Sequence, residues 1–232
     1  MRQPGALLAS GRDSEIFDYG PGFVLRRSRS RRSMEKETAI MRYVTERGYP
    51  APRVEELSAD GSELVMERIV GPTMLVDLQK RPWTYGRHAA TLASLHRRLH
   101  ELPAPTWLHA FPGGGASLVH LDLHPLNVIL APAGPVLIDW TNAARGTEAT
   151  DVALTWILMA TAEIPGPRWR TGLVGIIRTL FVRSFLRHFD RANIQAALPA
   201  VVEWKSRDRN IRPTEVAAMR RLLAAEEARE KP

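Results

Sequence analysis

Short runs of apolar residues, separated by glycine, proline and aspartate, mark the first 70 residues of the chain. Residues 15–19 and 22–27 form two such runs around a Gly-Pro-Gly turn, and residues 53–58 and 63–69 form two more around an Ala-Asp-Gly turn. Runs of this length, bounded by turn residues, predict β-strands joined by tight turns. The N-terminal part of the chain is therefore expected to be rich in β-structure.

One helix is predicted among these strands, over residues 34–46. Its apolar residues recur at helical spacing, and Gly48 follows as a stop. Ser33 stands at the capping position, with Glu35 and Lys36 in the first turn.

The pattern changes to helices after the Gly-Pro pair at residues 71–72. Residues 84–99 place apolar side chains near one face of a long helix. Three short apolar runs follow, at residues 117–121, 128–130 and 136–138. The rest of the chain is helical in pattern, with breaks at residues 165–167 and at Pro213.

A β-rich part followed by a helical part predicts the α+β fold class. We expect a small, β-rich N-terminal lobe over residues 1–70 and a larger, mainly helical C-terminal lobe over residues 71–232, with a hinge near residues 67–71. The length of 232 residues allows one or two domains, and the 44% of apolar residues supply enough material for a core.

Composition excludes several classes of protein. The chain has no cysteine, which rules out disulfide frameworks, thiolate zinc sites and a cysteine nucleophile. The longest uncharged apolar run near the middle, residues 152–162, is far shorter than the roughly 20 residues that a membrane span needs. The N-terminus has no apolar stretch as long as that of a signal peptide. We expect a soluble, cytoplasmic protein with no membrane partner.

Positive charge is concentrated in the C-terminal third. The chain has a net charge of +7; residues 1–70 carry 12 basic and 11 acidic residues, whereas residues 168–221 carry 12 basic and four acidic residues. Such fields act on partners rather than on the fold. A second basic feature, the run RRSRSRR at residues 26–32, contains five arginines. It allows a nucleic-acid interpretation, but a solvated strand end and loop is the more ordinary one, and no aromatic residues are interleaved for stacking on single strands.

Three polar side chains stand at the ends of neighbouring short apolar runs. Asp122 follows the first run, Asn127 begins the next, and Asp139 ends the third. Side chains at strand ends can converge on one spot. Two carboxylates and an amide suit a divalent hard cation, which takes oxygen ligands.

The segment HLDLHPLNVILAPAGPVLIDW, at residues 120–140, resembles the catalytic loop and metal-binding segment of aminoglycoside phosphotransferase-like kinases, which are relatives of protein kinases. The resemblance continues in the family's order through VLRR, YPAPRV, LVMERIVGPTM, LASLHRRLH and ARGTEATDVAL. It implies a protein-kinase-like bilobal fold and an ATP- and Mg²⁺-dependent transfer of the γ-phosphate to a hydroxyl of a small molecule. GTP stays open as an alternative nucleotide.

The resemblance assigns a role to each residue of the catalytic segment. Asp122 would orient the attacking hydroxyl and accept its proton. Asn127 and Asp139 would hold one or two Mg²⁺ ions that bridge the phosphates. His124 would brace the loop, and Asp151 would be a buried structural aspartate that receives hydrogen bonds from it.

The resemblance also implies an ion pair at the nucleotide phosphates. Arg26 stands where kinases usually place a strand lysine that contacts these phosphates, and arginine and lysine are not interchangeable. Glu37 would pair with Arg26 from the helix, with Glu35 as a competing partner.

Two further segments would contact the nucleotide. The loop that begins Ser10-Gly11 would cover the phosphates with its backbone amides, although it holds one glycine and no glycine-rich signature. In the hinge, Glu67 and Ile69 would offer main-chain groups to the adenine base.

Two other functions stay open beside the small-molecule kinase. A catalytically weak kinase-fold protein that binds nucleotide or a partner as a switch is favoured by Arg26 and the sparse phosphate loop, and opposed by the intact Asp122, Asn127 and Asp139. A nucleic-acid-associated protein would use the basic C-terminal surface.

The same basic surface bears on the acceptor. Family members that modify polycationic aminoglycosides need an acidic cleft in the C-terminal helices. The positive charge of residues 168–221 therefore favours a neutral or anionic hydroxylated small molecule.

Overall fold

The computed structural model describes residues 3–11, 13–162, 168–208 and 211–230. Its strands are β1 Leu7–Ser10, β2 Ser14–Asp18, β3 Phe23–Ser28, β4 Val54–Leu57, β5 Glu63–Glu67, β6 Ser117–Val119, β7 Val128–Ala131, β8 Gly134–Leu137 and β9 Ala144–Gly146. Its helices are α1 Glu35–Glu46, α2 Met74–Lys80, α3 Tyr85–His100, α4 Glu148–Thr161, α5 Arg168–Leu186, α6 Arg191–Ser206 and α7 Pro213–Glu230, with a 3-10 turn at Pro82–Thr84. A sheet in the N-terminal part and helices in the C-terminal part confirm the α+β fold class. The break expected at residues 165–167 lies outside the described residues.

Five antiparallel strands form the N-terminal sheet, in the order β1-β2-β3-β5-β4. The third strand of that order, β3, lies between β2 and β5, so that Arg26 is opposite Ile16 on one side and Leu64 on the other. Leu25 and Leu64 are buried beneath the sheet surface. This register fixes Arg26 in the middle of the sheet rather than at its edge.

The sequence pattern predicts neither β1 nor β9. All four residues of β1 are exposed, and the strand pairs with β2 alone at the edge of the sheet. β9 has three residues and pairs with β6. Strands this short depend on pairing with distant segments more than on their own residue pattern.

Helix α1 begins one residue later than expected and ends at the expected residue. Ser33 Oγ accepts a hydrogen bond from the backbone N–H of Glu35 at 3.2 Å, which satisfies one of the free donors of the first turn. The buried apolar residues Ile40, Met41 and Val44 line the inner side of the helix. Each such side chain, when buried, stabilises the fold by about 1.5–3 kcal/mol.

Contacts divide the chain into two units: Met1–Thr73 with Asn127–Ala143, and Met74–Leu126 with Ala144–Pro232. In the first unit, the β7–β8 hairpin is tied to the N-terminal residues, because Leu130 N donates to Pro72 O and Leu137 N donates to Pro50 O, both at 2.9 Å. A Cβ atom on Gly71 would collide with the carbonyl of Leu130, so this close approach requires glycine. The hairpin thus packs with Pro50, which precedes the expected boundary at residues 67–71, and with Pro72, which directly follows it; the lobe limits themselves stay a prediction.

The second unit is built around helices α3 and α4. Helix α3 packs on α5, and α4 packs on α6. Their inner faces carry fully buried side chains, among them Leu92, Leu99, Leu154, Phe185 and Leu198. In the described residues, none of the helices is both long enough and apolar enough to cross a membrane.

Candidate active site

Arg26 and Glu37 form an ion pair in the first unit. Arg26 Nη1 donates to Glu37 Oε1 at 2.5 Å, and the two side chains are only 15% and 6% exposed. Arg26 Nε donates to Ser14 Oγ at 3.1 Å. Glu35, the competing partner considered from the sequence, is exposed. The pairing expected between β3 and α1 is therefore present, and Glu37 is the partner.

Acidic neighbours stabilise the charged form of Arg26. Burial by itself lowers the pKa of Arg26, but the attraction of Glu37 and Asp139 outweighs it and raises the pKa above its ordinary value. Asp139 is linked to this ion pair through Thr141 Oγ1, which bonds both Glu37 Oε2 and Asp139 Oδ1. Among the described residues, hydrogen bonds engage Nε and Nη1 of Arg26 and none engages Nη2.

Glu37 also holds the segment that begins at Asp139. Its Oε1 accepts a hydrogen bond from Trp140 N at 3.3 Å, and its Oε2 accepts one from Thr141 Oγ1 at 3.2 Å. The same hydroxyl lies 2.9 Å from Asp139 Oδ1. Because a hydroxyl has one hydrogen, Thr141 shares it between the two carboxylates. Sequence reasoning missed Thr141; its only signal is a hydroxyl two positions after a candidate ligand.

Asn127 and Asp139 lie at one end of the β7–β8 hairpin. Val128 pairs with Leu137, and Ile138 N donates to Asn127 O at 2.9 Å, so the two candidate ligands leave neighbouring strands side by side. Asp139 has a left-handed backbone, with φ 65°, which aspartate tolerates better than most residues. An amide and a carboxylate oxygen at one end of a hairpin fit a hard cation such as Mg²⁺.

The loop expected to cover phosphates lies between β1 and β2. Gly11 N donates to Ser14 O at 2.9 Å, and Ser10 Oγ accepts a hydrogen bond from Arg29 Nη2 at 2.5 Å. Arg12 lies outside the described residues. That Ser10 and Gly11 contact phosphate stays a prediction.

The hinge residues leave one main-chain position open. Glu67 N donates to Arg53 O at 2.8 Å, and its carboxylate accepts from Arg53 Nε at 3.2 Å. Arg68 N donates to Gly22 O at 2.8 Å. Within the described ranges, Ile69 makes no hydrogen bond through its main chain, so its N–H and C=O are available to a base. The main-chain N–H of Glu67 is therefore already hydrogen-bonded within the protein, whereas from the sequence we expect Glu67 to offer main-chain groups to the base.

Asp122 belongs to the second unit. Its Oδ1 lies 3.3 Å from His124 Nε2, and both side chains are about one-fifth exposed. Burial raises the pKa of Asp122, but the hydrogen bond from His124 and the attraction of His124, His120 and Lys205 outweigh it, so the pKa lies below its ordinary value. Asp122 is therefore a carboxylate at neutral pH, and His124 contacts it as expected of a brace.

Asp151 receives hydrogen bonds from the loop before Asp122. Its Oδ1 accepts from Leu121 N at 2.8 Å and its Oδ2 from His120 N at 3.2 Å. Leu121 has a left-handed backbone, with φ 59°. The buried structural aspartate expected from the sequence is thus present, and it holds the loop in a conformation that side-chain-bearing residues rarely adopt.

The arginine-rich run at residues 26–32 is largely paired with acidic side chains. Arg27 Nε lies 2.6 Å from Glu63 Oε1, and Arg29 Nη2 lies 3.0 Å from Glu15 Oε1. These pairs favour the interpretation of a solvated strand end over that of a nucleic-acid surface.

Solved structures with the same fold are aminoglycoside and choline-type kinases. APH(4)-Ia, in a thermostable form with ADP and hygromycin B, is 17% identical, with a TM-score of 0.64 over 98% of this chain and 94% of that chain. The complex of APH(2″)-IIa with streptomycin and ATP is 16% identical, with a TM-score of 0.63 over 94% and 90%. A choline/ethanolamine kinase family protein from Mesorhizobium loti is 14% identical, with a TM-score of 0.61 over 99% and 89%. At these identities the likeness is one of fold, and it confirms the protein-kinase-like fold expected from the sequence.

The sequence itself matches a family model. No curated protein matches the chain. The model of the phosphotransferase enzyme family, however, matches residues 7–114 and 107–189. This match includes β1 to β9 and the candidate residues on them, and it extends over most of the chain. The chain therefore belongs to the phosphotransferase enzyme family.

Proposed function

We propose that this protein transfers the γ-phosphate of ATP or GTP to a hydroxyl of a small molecule, with Mg²⁺ as the metal. One observation carries the proposal: Glu37 binds Arg26 and, at the same time, the segment that starts at Asp139. A cation for phosphate oxygens and a carboxylate for a metal are thereby held together in one unit. Phosphoryl transfer depends on such positioning and charge neutralisation more than on covalent chemistry of the protein.

The first unit would bind the nucleotide. Asn127 and Asp139 would hold Mg²⁺, which neutralises charge on the phosphates when bound. Arg26 would bind a phosphate oxygen through Nη2, with its guanidinium fixed by Glu37. The main chain of Ile69 would hydrogen-bond the base, and the loop that begins Ser10-Gly11 would lie over the phosphates, although the Gly11 amide already donates to Ser14 O.

Asp122 would act on the acceptor. As a carboxylate, it accepts a hydrogen bond from the attacking hydroxyl, orients its oxygen and takes its proton as the bond to phosphorus forms. General-base assistance of this kind is typically worth about 10²–10⁴ in rate.

The acceptor is proposed to be neutral or anionic. The neighbouring structures hold the polycations hygromycin B and streptomycin, whereas this chain is strongly basic over residues 168–221. Lys205 on α6, although itself paired with Asp208 at 2.7 Å, adds a small positive potential at Asp122 after the larger effects of His124 and His120. A polycation would be repelled by these groups, and a carboxylate or phosphate on the acceptor would be attracted.

A nucleotide-binding assay tests the first half of the proposal. The thermal midpoint of the wild type should rise with ATP or GTP plus Mg²⁺, and this rise should be lost in Asp139→Asn. Asp60→Asn, an exposed carboxylate of the same unit, is the matched control and should keep the rise. An unchanged rise in Asp139→Asn would refute the metal assignment.

A turnover assay tests the second half. Nucleoside diphosphate release should be stimulated by neutral or anionic hydroxylated compounds more than by kanamycin-like polycations, and Asp122→Asn should abolish the stimulation. A wild type that binds nucleotide but turns over no acceptor would favour the second candidate, a catalytically weak nucleotide-binding protein, which the replacement of the usual lysine by Arg26 favours.

A further inference from the structure

Helix α4 binds the backbone on both sides of Asp122. Asp151 accepts hydrogen bonds from Leu121 N at 2.8 Å and from His120 N at 3.2 Å. One helical turn later, Thr155 Oγ1 donates to Leu123 O at 2.7 Å. Residues four apart lie on one face of a helix. A single face of α4 therefore holds the residue before Asp122 and the residue after it.

Helix α3 supports both of these contacts with two histidines, again one turn apart. His100 Nε2 lies 2.9 Å from Asp151 Oδ2, and His96 Nε2 lies 3.1 Å from Thr155 Oγ1. All four side chains are buried. The result is two rungs, His100–Asp151–Leu121 and His96–Thr155–Leu123, with Asp122 between their ends.

The donors and acceptors fix the direction of each hydrogen bond. The Leu123 carbonyl only accepts, so Thr155 gives it the single hydroxyl hydrogen and must accept from His96 Nε2–H. Burial raises the pKa of Asp151, but its contacts with His100 and with His96, whose Nδ1 lies 3.4 Å from Asp151 Oδ2, outweigh it and hold the pKa well below its ordinary value. Asp151 is therefore a carboxylate that accepts from His100 Nε2–H.

Three of these side chains, His96, His100 and Asp151, belong to residue types that bind metals. Ligating atoms of His96, His100 and Asp151 lie within 4.8 Å of one another. However, Asp151 Oδ2 already accepts from His100 Nε2 and His120 N, and Oδ1 accepts from Leu121 N. These hydrogen bonds account for the carboxylate without a metal.

The backbone held by the rungs would not keep its shape unaided. Leu121 is left-handed at φ 59°, although leucine disfavours this region. Without the contacts on either side, Leu121 would relax towards an extended backbone, and the Asp122 carboxylate would turn with it.

We propose that Thr155 and His100 are positioning residues for Asp122, acting through the backbone of Leu123 and through Asp151 with Leu121. The proposal rests on the proposed function only for its effect on turnover. Its structural half, the control of the loop backbone, stands on the hydrogen bonds alone.

Amide hydrogen exchange on the ¹⁵N-labelled full chain tests the structural half. Thr155→Val keeps the shape and removes the hydroxyl, and Thr155→Ser keeps the hydroxyl. Thr161→Val is the matched control, because among the described residues its hydroxyl bonds to nothing but the carbonyl of Ile157 within α4. Thr155→Val removes two buried hydrogen bonds, to Leu123 O and from His96 Nε2, and so makes opening of the loop easier. The Leu121 amide should therefore exchange at least about tenfold faster in Thr155→Val, and as in the wild type in Thr155→Ser and Thr161→Val.

Nucleotide turnover tests the functional half. With MgATP, and with water or the best acceptor of the screen, Thr155→Val should lower kcat about tenfold and leave the KM for nucleotide unchanged, with rescue in Thr155→Ser. If Thr155→Val does not fold, His100→Leu against His100→Gln makes the same comparison, because glutamine keeps an N–H donor near the position of Nε2.

Three outcomes would overturn the proposal: wild-type exchange at Leu121 in Thr155→Val, equal losses in the valine and serine variants, or stoichiometric zinc in the purified protein. A wild type without turnover would refute the proposed function instead, and the exchange rates would still decide the positioning role.

Discussion

Removing the carboxylate of Glu37 should destabilise the first unit far more than removing an exposed carboxylate of α1. Glu37→Ala leaves the Arg26 guanidinium, 15% exposed, without its ion-pair partner, and also removes the carboxylate that accepts from Trp140 N and one of the two carboxylates bound by Thr141 Oγ1. Breaking a buried pair by removing one partner costs about 3–5 kcal/mol. Ser14 Oγ and the attraction of Asp139 still stabilise Arg26, so we expect a loss of about 3 kcal/mol, at the low end of that range.

Urea unfolding of the wild type and variants measures this loss. Glu35→Ala is the matched control, since Glu35 lies in the same first turn but is exposed, and its removal should cost about 0.3–1 kcal/mol through the helix dipole alone. Replacing both partners, as Arg26→Met with Glu37→Leu, should be less damaging than Glu37→Ala alone, because no charge is then left buried. Equal losses for Glu37→Ala and Glu35→Ala would refute the reasoning.

Three further changes test other parts of the structure. Thr141→Val should weaken Mg²⁺-nucleotide binding about tenfold in calorimetry, whereas Thr141→Ser should bind as the wild type does, because the hydroxyl holds Asp139 Oδ1. Hydrogen bonds from Ser58 and Ser62 lower the pKa of Asp60 to about 2. Asp60 therefore stabilises the fold at pH values above its unfolded pKa of about 3.9, and this stabilisation is lost as the pH falls towards 2. Ser62→Ala should raise the pKa of Asp60 in an NMR titration. Lys205→Met should raise the pKa of Asp122, measured from its carboxyl ¹³C shift, and an unchanged value would contradict the proposed positive potential at the acceptor.

The sequence predicts those elements whose pattern is local. Helix α1 has a strong helical period between a capping serine and Gly48, so its bounds agree with the expectation to within one residue. The pairing of Arg26 with Glu37 is expected from the resemblance. In the family, a strand residue at the position of Arg26 pairs with a residue of the following helix at the position of Glu37. Neither result needs knowledge of how distant segments pack.

Features that depend on distant partners escape the sequence. β9 forms only because β6 lies beside it: Ser117 pairs with Gly146, 29 positions later in the chain, and Val119 pairs with Ala144, 25 positions later. His96 falls on the apolar face of α3 and reads as a core position, yet its ring bonds to Thr155, which is 59 residues away in the chain. The period of a helix shows which face is buried, but not that a buried histidine meets a hydroxyl.

Two buried carboxylates, Glu37 and Asp151, would take no part in the chemistry. They hold the backbone beside the two carboxylates that would, Asp139 and Asp122. Asp139 and Leu121, the residue before Asp122, both have left-handed backbones, a conformation costing roughly 1–2 kcal/mol for residues other than glycine. In the first unit Glu37 holds Trp140 N, directly after Asp139, and in the second unit Asp151 holds Leu121 N, directly before Asp122. Each of these carboxylates comes from a helix and is itself fixed by a basic side chain, Arg26 or His100. Because a buried carboxylate left without its partners is costly, the helix, the basic side chain and the strained backbone stabilise one another. A substitution at either buried carboxylate should therefore change the backbone conformation beside the neighbouring candidate aspartate, Asp139 or Asp122, even where the unit still folds.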